Sequence, residues 1–322
     1  MSYRSLKLAG LSATIAAAAL LLTACGGQSA DGGGSTEGAG LSGSVVADGS
    51  STVAPLTEAA ADLFRDVEPD VNVTVATSGS GGGFKKFCAD ETDISDASRP
   101  IKDEEAADCE AAGVEFTEIV IANDGLSVVV NPENDFAECL TVEQLNTIWA
   151  PEAEGTVTNW NQVDPSFPDL PLTLFGAGTD SGTFDYFTDA INGEEGAIRA
   201  DYSPSEDDNI IVQGVAGDEG AMGFLGLSYV EENPDSLKAV EVDSGAGCVA
   251  PSAETVQDGS YTPLGRPLFI YVNNASYADK PQVKAFVDFY VENEAEAAEA
   301  ALVIGLTEEQ KATAQDELAT LG

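Results

Sequence analysis

Three short segments of the sequence combine glycines with hydroxyl side chains directly before a predicted helix. They are residues 48–52 (DGSST), 78–83 (SGSGGG) and 176–183 (GAGTDSGT). The first N–H groups of a helix lack intrahelical partners and lie at the positive end of its dipole, so they can bind an oxyanion. Glycines allow close approach of the backbone, and Ser and Thr hydroxyls add donors. Each segment alone is more typical of a helix N-cap without a ligand, but three in one chain favour an anion site.

A fourth segment, residues 95–100 (SDASRP), carries one of only 13 basic residues, Arg99. An arginine can bind an oxyanion through paired N–H donors, although a surface ion pair is an equally good interpretation. No Gly-Lys-Ser/Thr follows in the P-loop spacing, which argues against nucleotide hydrolysis. The chain has no His, so Ser-His-Asp and Cys-His catalytic sets and His-bearing metal sites are excluded. We therefore predict no catalytic residue, no metal and no cofactor.

Strand-like and helix-like segments alternate along the chain, which predicts an α/β fold with largely parallel sheets. Two predicted strands, residues 115–122 and 126–131, follow each other around a predicted Asn-Asp-Gly turn at 123–125. A buried strand, residues 268–273 (LFIYVN), comes late in the chain. This pattern is typical of a chain that crosses from one α/β domain to another and later returns. A long amphipathic helix is predicted over residues 281–300.

The N-terminus has the features of an export signal. Arg4 and Lys7 precede a 15-residue apolar run, and residues 22–26 (LTACG) resemble a bacterial lipobox that ends in Cys25. We predict a signal peptide over residues 1–24, lipid on Cys25 and a Gly/Ser-rich flexible tether over residues 25–40. Loss of Arg4 and Lys7 leaves 11 basic residues and changes the formal charge from −43 to about −45. Such charge argues against nucleic acid and anionic membranes as partners, so only the lipid would contact the membrane.

Several motifs appear in one order: GSSTVAP at 49–55, SGGGFK at 80–85, SRP at 98–100 and GTDSGT at 178–183. Together with VQGV at 212–215 and GAMGF at 220–224, they resemble the periplasmic phosphate-binding protein of the bacterial high-affinity phosphate ABC transporter. The resemblance covers residues 49 to about 271. It implies a two-lobed periplasmic-binding-protein fold of type II, hinged by two crossover strands. Lobe one would comprise residues 41–123 plus 262–322, and lobe two residues 124–261.

The resemblance also implies a phosphate site at the ends of the four segments. It differs from the best-known members, which have an Asp where Arg99 stands here and an Arg just before the third segment. Monohydrogen phosphate carries an O–H that sulfate lacks, so a carboxylate acceptor would select phosphate. Asp180 is the first candidate for this acceptor, before Asp96 or Asp48. The implied phosphate-binding residues are Ser51, Thr52, Val53, Ser80, Arg99, Asp180, Ser181, Gly182 and Thr183.

Four cysteines besides Cys25 predict two disulfides, for which three pairings are possible. The implied lobes favour Cys88–Cys109 and Cys139–Cys248, because each bridge then lies within one lobe. We expect a lipid-anchored monomer on the extracytoplasmic face of the cell membrane that delivers phosphate to the permease subunits. The alternatives are binding of another oxyanion or small solute, a phosphoesterase with a Ser or Thr nucleophile, and a structural lipoprotein. The phosphoesterase lacks an evident base, because there is no His and no Lys beside a loop Ser.

Overall fold

The structure is a computed structural model that describes residues 40–179 and 181–321. The predicted signal peptide, Cys25, residues 25–39 of the predicted tether and Asp180 lie outside the described residues. Within the described ranges, no helix has the length and apolar character needed to cross a membrane.

Twelve α-helices and twelve strands alternate through the described residues. The strands are β1 (Gly43–Gly49), β2 (Val71–Thr77), β3 (Ile94–Ala97), β4 (Phe116–Val130), β5 (Cys139–Thr141), β6 (Thr173–Ala177), β7 (Ser203–Ser205), β8 (Ala221–Gly226), β9 (Lys238–Ala239), β10 (Glu241–Asp243), β11 (Cys248–Val249) and β12 (Gly265–Asn273). The helices are α1 (Ala54–Val67), α2 (Ser80–Cys88), α3 (Asp103–Ala112), α4 (Val142–Trp149), α5 (Gly182–Asn192), α6 (Asp208–Ala216), α7 (Leu227–Glu232), α8 (Ala253–Gln257), α9 (Asn274–Asp279), α10 (Pro281–Glu292), α11 (Glu294–Ala300) and α12 (Glu308–Ala319). Two short 3₁₀ helices cover Pro151–Ala153 and Trp160–Gln162.

One nine-stranded sheet runs through the molecule in the order β2-β1-β3-β12-β4-β8-β6-β7, with β9 beside β4. At one end β1 pairs in parallel with β2 and β3, and at the other end β6 pairs in parallel with β7 and β8. The pairs in the middle, β3-β12, β12-β4 and β4-β8, are antiparallel. The prediction of parallel pairing therefore holds within each end but not at the centre.

Hydrophobic cores divide the molecule into two halves. The first half contains β1–β3, α1–α3 and α9–α12, and its main core includes Leu56, Phe64 and Phe286. The second half contains α4–α8 and β5–β11, and its main core includes Trp149 and Phe224. Strands β4 and β12 pass from one half to the other, so they are the two crossover strands.

Strand β4 is continuous where the sequence predicts a turn at residues 123–125, so that prediction is wrong. Each of these residues has a partner in β12: Asn123 lies opposite Pro267, Asp124 opposite Arg266, and Gly125 opposite Gly265. An Asn-Asp-Gly turn is a local preference, and pairing along the whole length of a neighbouring strand overrides it. The single helix predicted over residues 281–300 is also wrong, because Asn293 separates α10 from α11.

Both predicted disulfides are present. Cys88–Cys109 connects the end of α2 to α3, with Cα atoms 4.3 Å apart, and Cys139–Cys248 connects β5 to β11, with Cα atoms 6.0 Å apart. The first lies in the first half and the second in the second half, so neither crosses between the halves.

Candidate functional site

A cavity of about 760 Å³ lies where the ends of elements from both halves meet the start of β12. The segments predicted from the sequence supply much of its lining. The lining residues that matter below are Ser50, Ser51, Thr52, Ser78, Ser80, Lys85, Ser98, Arg99, Lys102, Gly182, Asp185, Tyr186, Asp189, Glu195, Pro263 and Arg266.

The first segment forms a tight turn between β1 and α1 that holds Ser51 and Thr52 against the cavity. The Thr52 N–H donates to Ser50 Oγ (3.2 Å), and Ser51 Oγ donates to Asp185 Oδ2 in α5 (3.3 Å). The N–H of Val53, expected to donate to an anion, donates to the Ser50 carbonyl oxygen (3.2 Å). Val53 is fully buried and does not line the cavity, so in this arrangement it supports the turn.

The second segment begins α2, and its cap is Gly79, whose φ of +73° favours glycine. Ser80 Oγ accepts a hydrogen bond from the Ser98 N–H (3.1 Å) and lies 3.2 Å from Ser98 Oγ. The second and fourth segments are therefore tied together at the cavity. Lys85, one turn further along α2, also lines the cavity and is exposed.

The third segment begins α5 and packs directly on the first. Ser181 caps the helix by accepting from the Thr183 N–H (3.2 Å), and neither residue lines the cavity. Gly182 does line it, and a Cβ at this position would lie only 2.4 Å from Thr52 Oγ1. The start of α5 in the second half can approach Thr52 in the first half only because residue 182 has no side chain.

Arg99 has features of both an anion-binding residue and a member of an ion pair. Arg99 lines the cavity, but its NH1 and NH2 groups donate to the two carboxylate oxygens of Glu105, each at 2.8 Å. The hydrogen bonds that Arg99 donates to Glu105 raise the pKa of the Arg99 guanidinium, against the effect of burial. Burial raises the pKa of Glu105, but bonds from Arg99 and the Lys102 N–H outweigh it and lower that pKa. Arg99 therefore faces the cavity as one member of an ion pair.

A second arginine, Arg266, was missed by sequence reasoning. Its NH2 group donates to Thr52 Oγ1 (3.0 Å), its NH1 group donates to the Ser98 carbonyl oxygen (3.2 Å), and it pairs with Asp124 (3.3 Å). Its guanidinium carbon lies 3.4 Å from the ring centre of Tyr186. A signal was present, since Gly-Arg-Pro stands directly before the strand predicted to return between domains.

The cavity concentrates the few cations of this acidic chain. Of the 11 basic residues after the predicted signal peptide, four line it: Lys85, Arg99, Lys102 and Arg266. Three carboxylates also line it, and all belong to the α5 side: Asp185, Asp189 and Glu195. Four cations therefore face three carboxylates in the lining of a molecule whose formal charge is −43, although Arg99 and Arg266 each pair with a carboxylate behind the lining. This contrast indicates an anion as the ligand.

A model of the PBP superfamily domain matches residues 34–294, which is most of the chain. The chain belongs to the PBP superfamily. It is 50% identical to the protein SphX of Synechocystis sp. over 83% of this chain and 79% of that protein. It is 39% identical to the phosphate-binding protein PstS of Staphylococcus saprophyticus, over 95% of this chain and 92% of that protein.

Solved structures agree with this family. A possible phosphate binding protein from Planctomyces limnophilus superposes with a TM-score of 0.83 at 47% identity, over 87% of this chain and 99% of that chain. An ABC-type phosphate transport receptor from Vibrio cholerae shares the fold, with a TM-score of 0.64 at 24% identity, over 81% of this chain and 99% of that chain. The predicted α/β, two-lobed type II fold of the PBP superfamily is thereby confirmed.

Two of the three carboxylates considered as proton acceptors lie away from the cavity of this PBP-superfamily protein. Asp48 accepts from Ser78 Oγ (2.6 Å) and pairs with Lys86. Asp96 is fully buried, and its Oδ1 accepts from Thr57 Oγ1 in α1 (2.9 Å). Neither residue lines the cavity, so the expectation that either could accept a ligand proton is corrected.

Asp185 is the carboxylate that sequence reasoning did not consider. It lies in the first turn of α5, lines the cavity, and accepts from Ser51 Oγ across the two halves. Burial raises its pKa, while the Ser51 hydrogen bond and the charge of Arg266 partly offset that rise. Burial, together with the charges of Asp185 and Asp189, also raises the pKa of Glu195.

Proposed function

We propose that this protein captures inorganic phosphate in the cavity between its two halves and delivers it to an ABC permease. The observation that carries the proposal is the cavity itself, where hydroxyls, a helix start and four cations converge in a strongly acidic chain. The relatives support it: PstS of S. saprophyticus is a phosphate-binding protein by name. A substrate-binding protein described as a candidate for phosphate ABC transport, from Clostridium perfringens, has been solved with bound phosphate.

Phosphate contacts are proposed for Ser51, Thr52, Ser80, Arg99 and Gly182, all of which line the cavity. The predicted contacts of Val53, Ser181 and Thr183 need a rearrangement of the turns that now engage their polar groups. Asp180 precedes the cap of α5 and is retained from the sequence as a candidate contact. The set is rich in uncharged donors, which suits an oxyanion held in a partly buried site.

The proton of monohydrogen phosphate needs an acceptor, and Asp185 joins Asp180 as a candidate. Asp185 faces the cavity and has one hydrogen bond from Ser51, which leaves acceptor capacity on the carboxylate. A carboxylate that accepts from phosphate would repel sulfate, which has no proton to donate. The selectivity for phosphate over sulfate is thus assigned to the start of α5.

Calorimetric titration with phosphate and sulfate tests the function and its acceptor together. The unaltered protein should bind phosphate and should give no heat with sulfate; heat with sulfate alone would refute the proposed function. Asp185→Asn should weaken phosphate binding by roughly tenfold or more and narrow its preference over sulfate. Asp180→Asn is the rival variant, and Asp108→Asn is the control at an exposed carboxylate that does not line the cavity. Unchanged selectivity in Asp185→Asn with lost selectivity in Asp180→Asn would move the role to Asp180.

The finer features of the sequence prediction belong to the same proposal. Residues 1–24 would be removed as a signal peptide, Cys25 would carry lipid, and residues 25–40 would tether a monomer outside the cell membrane. The lobes would comprise residues 41–123 plus 262–322 and residues 124–261. Cys25→Ala should release the protein from the membrane fraction, and retention there would contradict the anchor. No catalytic role is proposed, and turnover of a chromogenic phosphate ester would contradict this.

A further inference from the structure

Arg266 contacts both halves of the molecule from a crossover strand. It lies at the start of β12, opposite Asp124 in β4, and its side chain is 14% exposed. In the first half its guanidinium donates to Thr52 Oγ1 and to the Ser98 carbonyl oxygen. In the second half it lies over the ring of Tyr186 in α5. Within the described ranges, these groups and Asp124 account for the polar and aromatic partners of the guanidinium.

The bond to Thr52 determines what that hydroxyl can offer a ligand. A hydroxyl has one donor hydrogen and two acceptor lone pairs. Because Thr52 Oγ1 accepts from the guanidinium, its own hydrogen is left to donate, and Thr52 is a donor to no other described residue. Thr52 lines the cavity, so the hydrogen can be directed at an anion there. A charged donor polarises the hydroxyl and strengthens such a bond.

The contact with Tyr186 connects this donor to the other half. The guanidinium carbon is 3.4 Å from the ring centre, close enough for a cation–π interaction. The Tyr186 hydroxyl donates to the Pro263 carbonyl oxygen (2.6 Å), which fixes the ring beside the start of β12. The position of α5 is therefore coupled to the orientation of Arg266, and through it to Thr52.

We propose that Arg266 is a positioning residue for the bound anion. It acts through Thr52, whose hydroxyl it holds as a donor toward the cavity, and Tyr186 of the second half holds Arg266 in place. Asp124 balances the charge of the guanidinium, so the effect depends on the geometry of the hydrogen bond more than on net charge. This inference rests on the proposed binding of phosphate in the same cavity.

A double-mutant cycle between Arg266→Gln and Thr52→Val tests the inference, with phosphate affinity measured by calorimetry. Arg266→Gln should weaken binding by about 10- to 100-fold in the unaltered protein. In the Thr52→Val background the same change should cost at least about threefold less, because the group it acts through is gone. Equal losses in both backgrounds would show that Arg266 acts on the anion by itself and would overturn the proposal.

Control variants separate this role from folding and from general charge. Lys85→Gln removes another positive charge from the cavity lining and should give equal losses in both Thr52 backgrounds. Tyr186→Leu removes the ring under Arg266 and should bind several times more weakly than the parent, whereas Tyr186→Phe loses only the hydroxyl bond to Pro263 and should bind more tightly than Tyr186→Leu. Equal affinity of these two variants would remove the Tyr186 ring from the proposal. Thermal unfolding of each variant identifies any loss that comes from misfolding. If the unaltered protein does not bind phosphate, the proposed function fails, whereas binding with no coupling refutes only this inference.

Discussion

Asp96 is a fully buried carboxylate in β3, on the face of the sheet covered by α1 and α10. Its Oδ1 accepts from Thr57, whose hydroxyl lies 3.2 Å from the Tyr290 hydroxyl. Its Oδ2 has no hydrogen-bond partner among the described residues. Burial raises its pKa to about 7, the bond from Thr57 opposes this, and the charges of Asp48 and Glu58 add to it. Asp96 therefore titrates near neutral pH.

The titration of Asp96 should make the free energy of unfolding depend on pH. In the unfolded chain an aspartate has a pKa of about 3.9, so from about pH 4 to pH 7 the folded state alone keeps the proton. The contribution of Asp96 to the free energy of unfolding is therefore fully present below about pH 4, and it is lost as the pH rises to about 7. Asp96→Asn should gain stability relative to the parent across this window, by up to about 4 kcal/mol. Denaturant unfolding of the parent and of Asp96→Asn at several pH values measures the difference in free energy of unfolding; a difference that does not change with pH would contradict the prediction.

The sequence predicts some residues of the candidate site and not others. The segments that contain Ser51, Thr52, Ser80 and Gly182 were recognised because glycines and hydroxyls before a helix supply anion donors, and the resemblance to phosphate-binding proteins selected the individual residues. Arg266 was missed because its place at the cavity follows from strand pairing with β4, which no local pattern reveals. Asp185 was missed for a similar reason, since its contact with Ser51 joins elements 134 residues apart.

At the scale of elements, the start of α5 in the second half contacts the turn between β1 and α1 in the first half. The N-terminus of α5 reaches Thr52 across Gly182, where any side chain would collide with the hydroxyl and with the backbone nitrogen (2.7 Å). The first turn of the helix presents Gly182 and Asp185 to the same cavity. Its position therefore decides whether donors from both halves can surround one anion.

Gly182→Ala should weaken phosphate binding by about tenfold or more while changing stability little, because the methyl group separates α5 from Thr52 at a partly exposed position. Calorimetry and thermal unfolding measure the two effects. Gly226→Ala is the control, since the nearest atom to its added Cβ lies at 3.7 Å. Parent-like affinity in Gly182→Ala would show that the halves need not approach this closely when the anion binds.

Elements were predicted well where local pattern and tertiary packing agree. The helices after the three glycine-hydroxyl segments and the buried strand β12 follow from their periodicity. The disulfide pairing followed from the resemblance to phosphate-binding proteins, since spacing alone left three choices. The prediction of a turn at residues 123–125 was wrong because β12 pairs with these three residues and with the strand before them. The antiparallel pairing in the middle of the sheet was missed for the same reason, because it joins strands that are far apart in the sequence.

The whole molecule is strongly acidic, and four of its few cations line one cavity. At low ionic strength the formal charge of −43 repels a phosphate anion from a distance, whereas the four cavity cations act only nearby. The association rate of phosphate should therefore rise with salt from about 0.01 M to about 0.15 M. Stopped-flow measurements in a non-binding salt test this, with a nonionic solute as the control for viscosity. A rate that falls with added salt would mean that the cavity dominates at long range.

The unbroken course of β4 has a mechanical consequence. Because β4 and β12 are hydrogen-bonded to each other through the junction, the halves are joined by a two-stranded ribbon and not by flexible loops. Relative movement must bend or twist this ribbon, which resists deformation elastically and has a preferred curvature. The register irregularity between Leu268 and Phe269 places a locally more twisted point within it. The ribbon therefore contributes to the separation of the halves, together with their contacts at the cavity, and substitutions in the ribbon can tune affinity without touching the ligand.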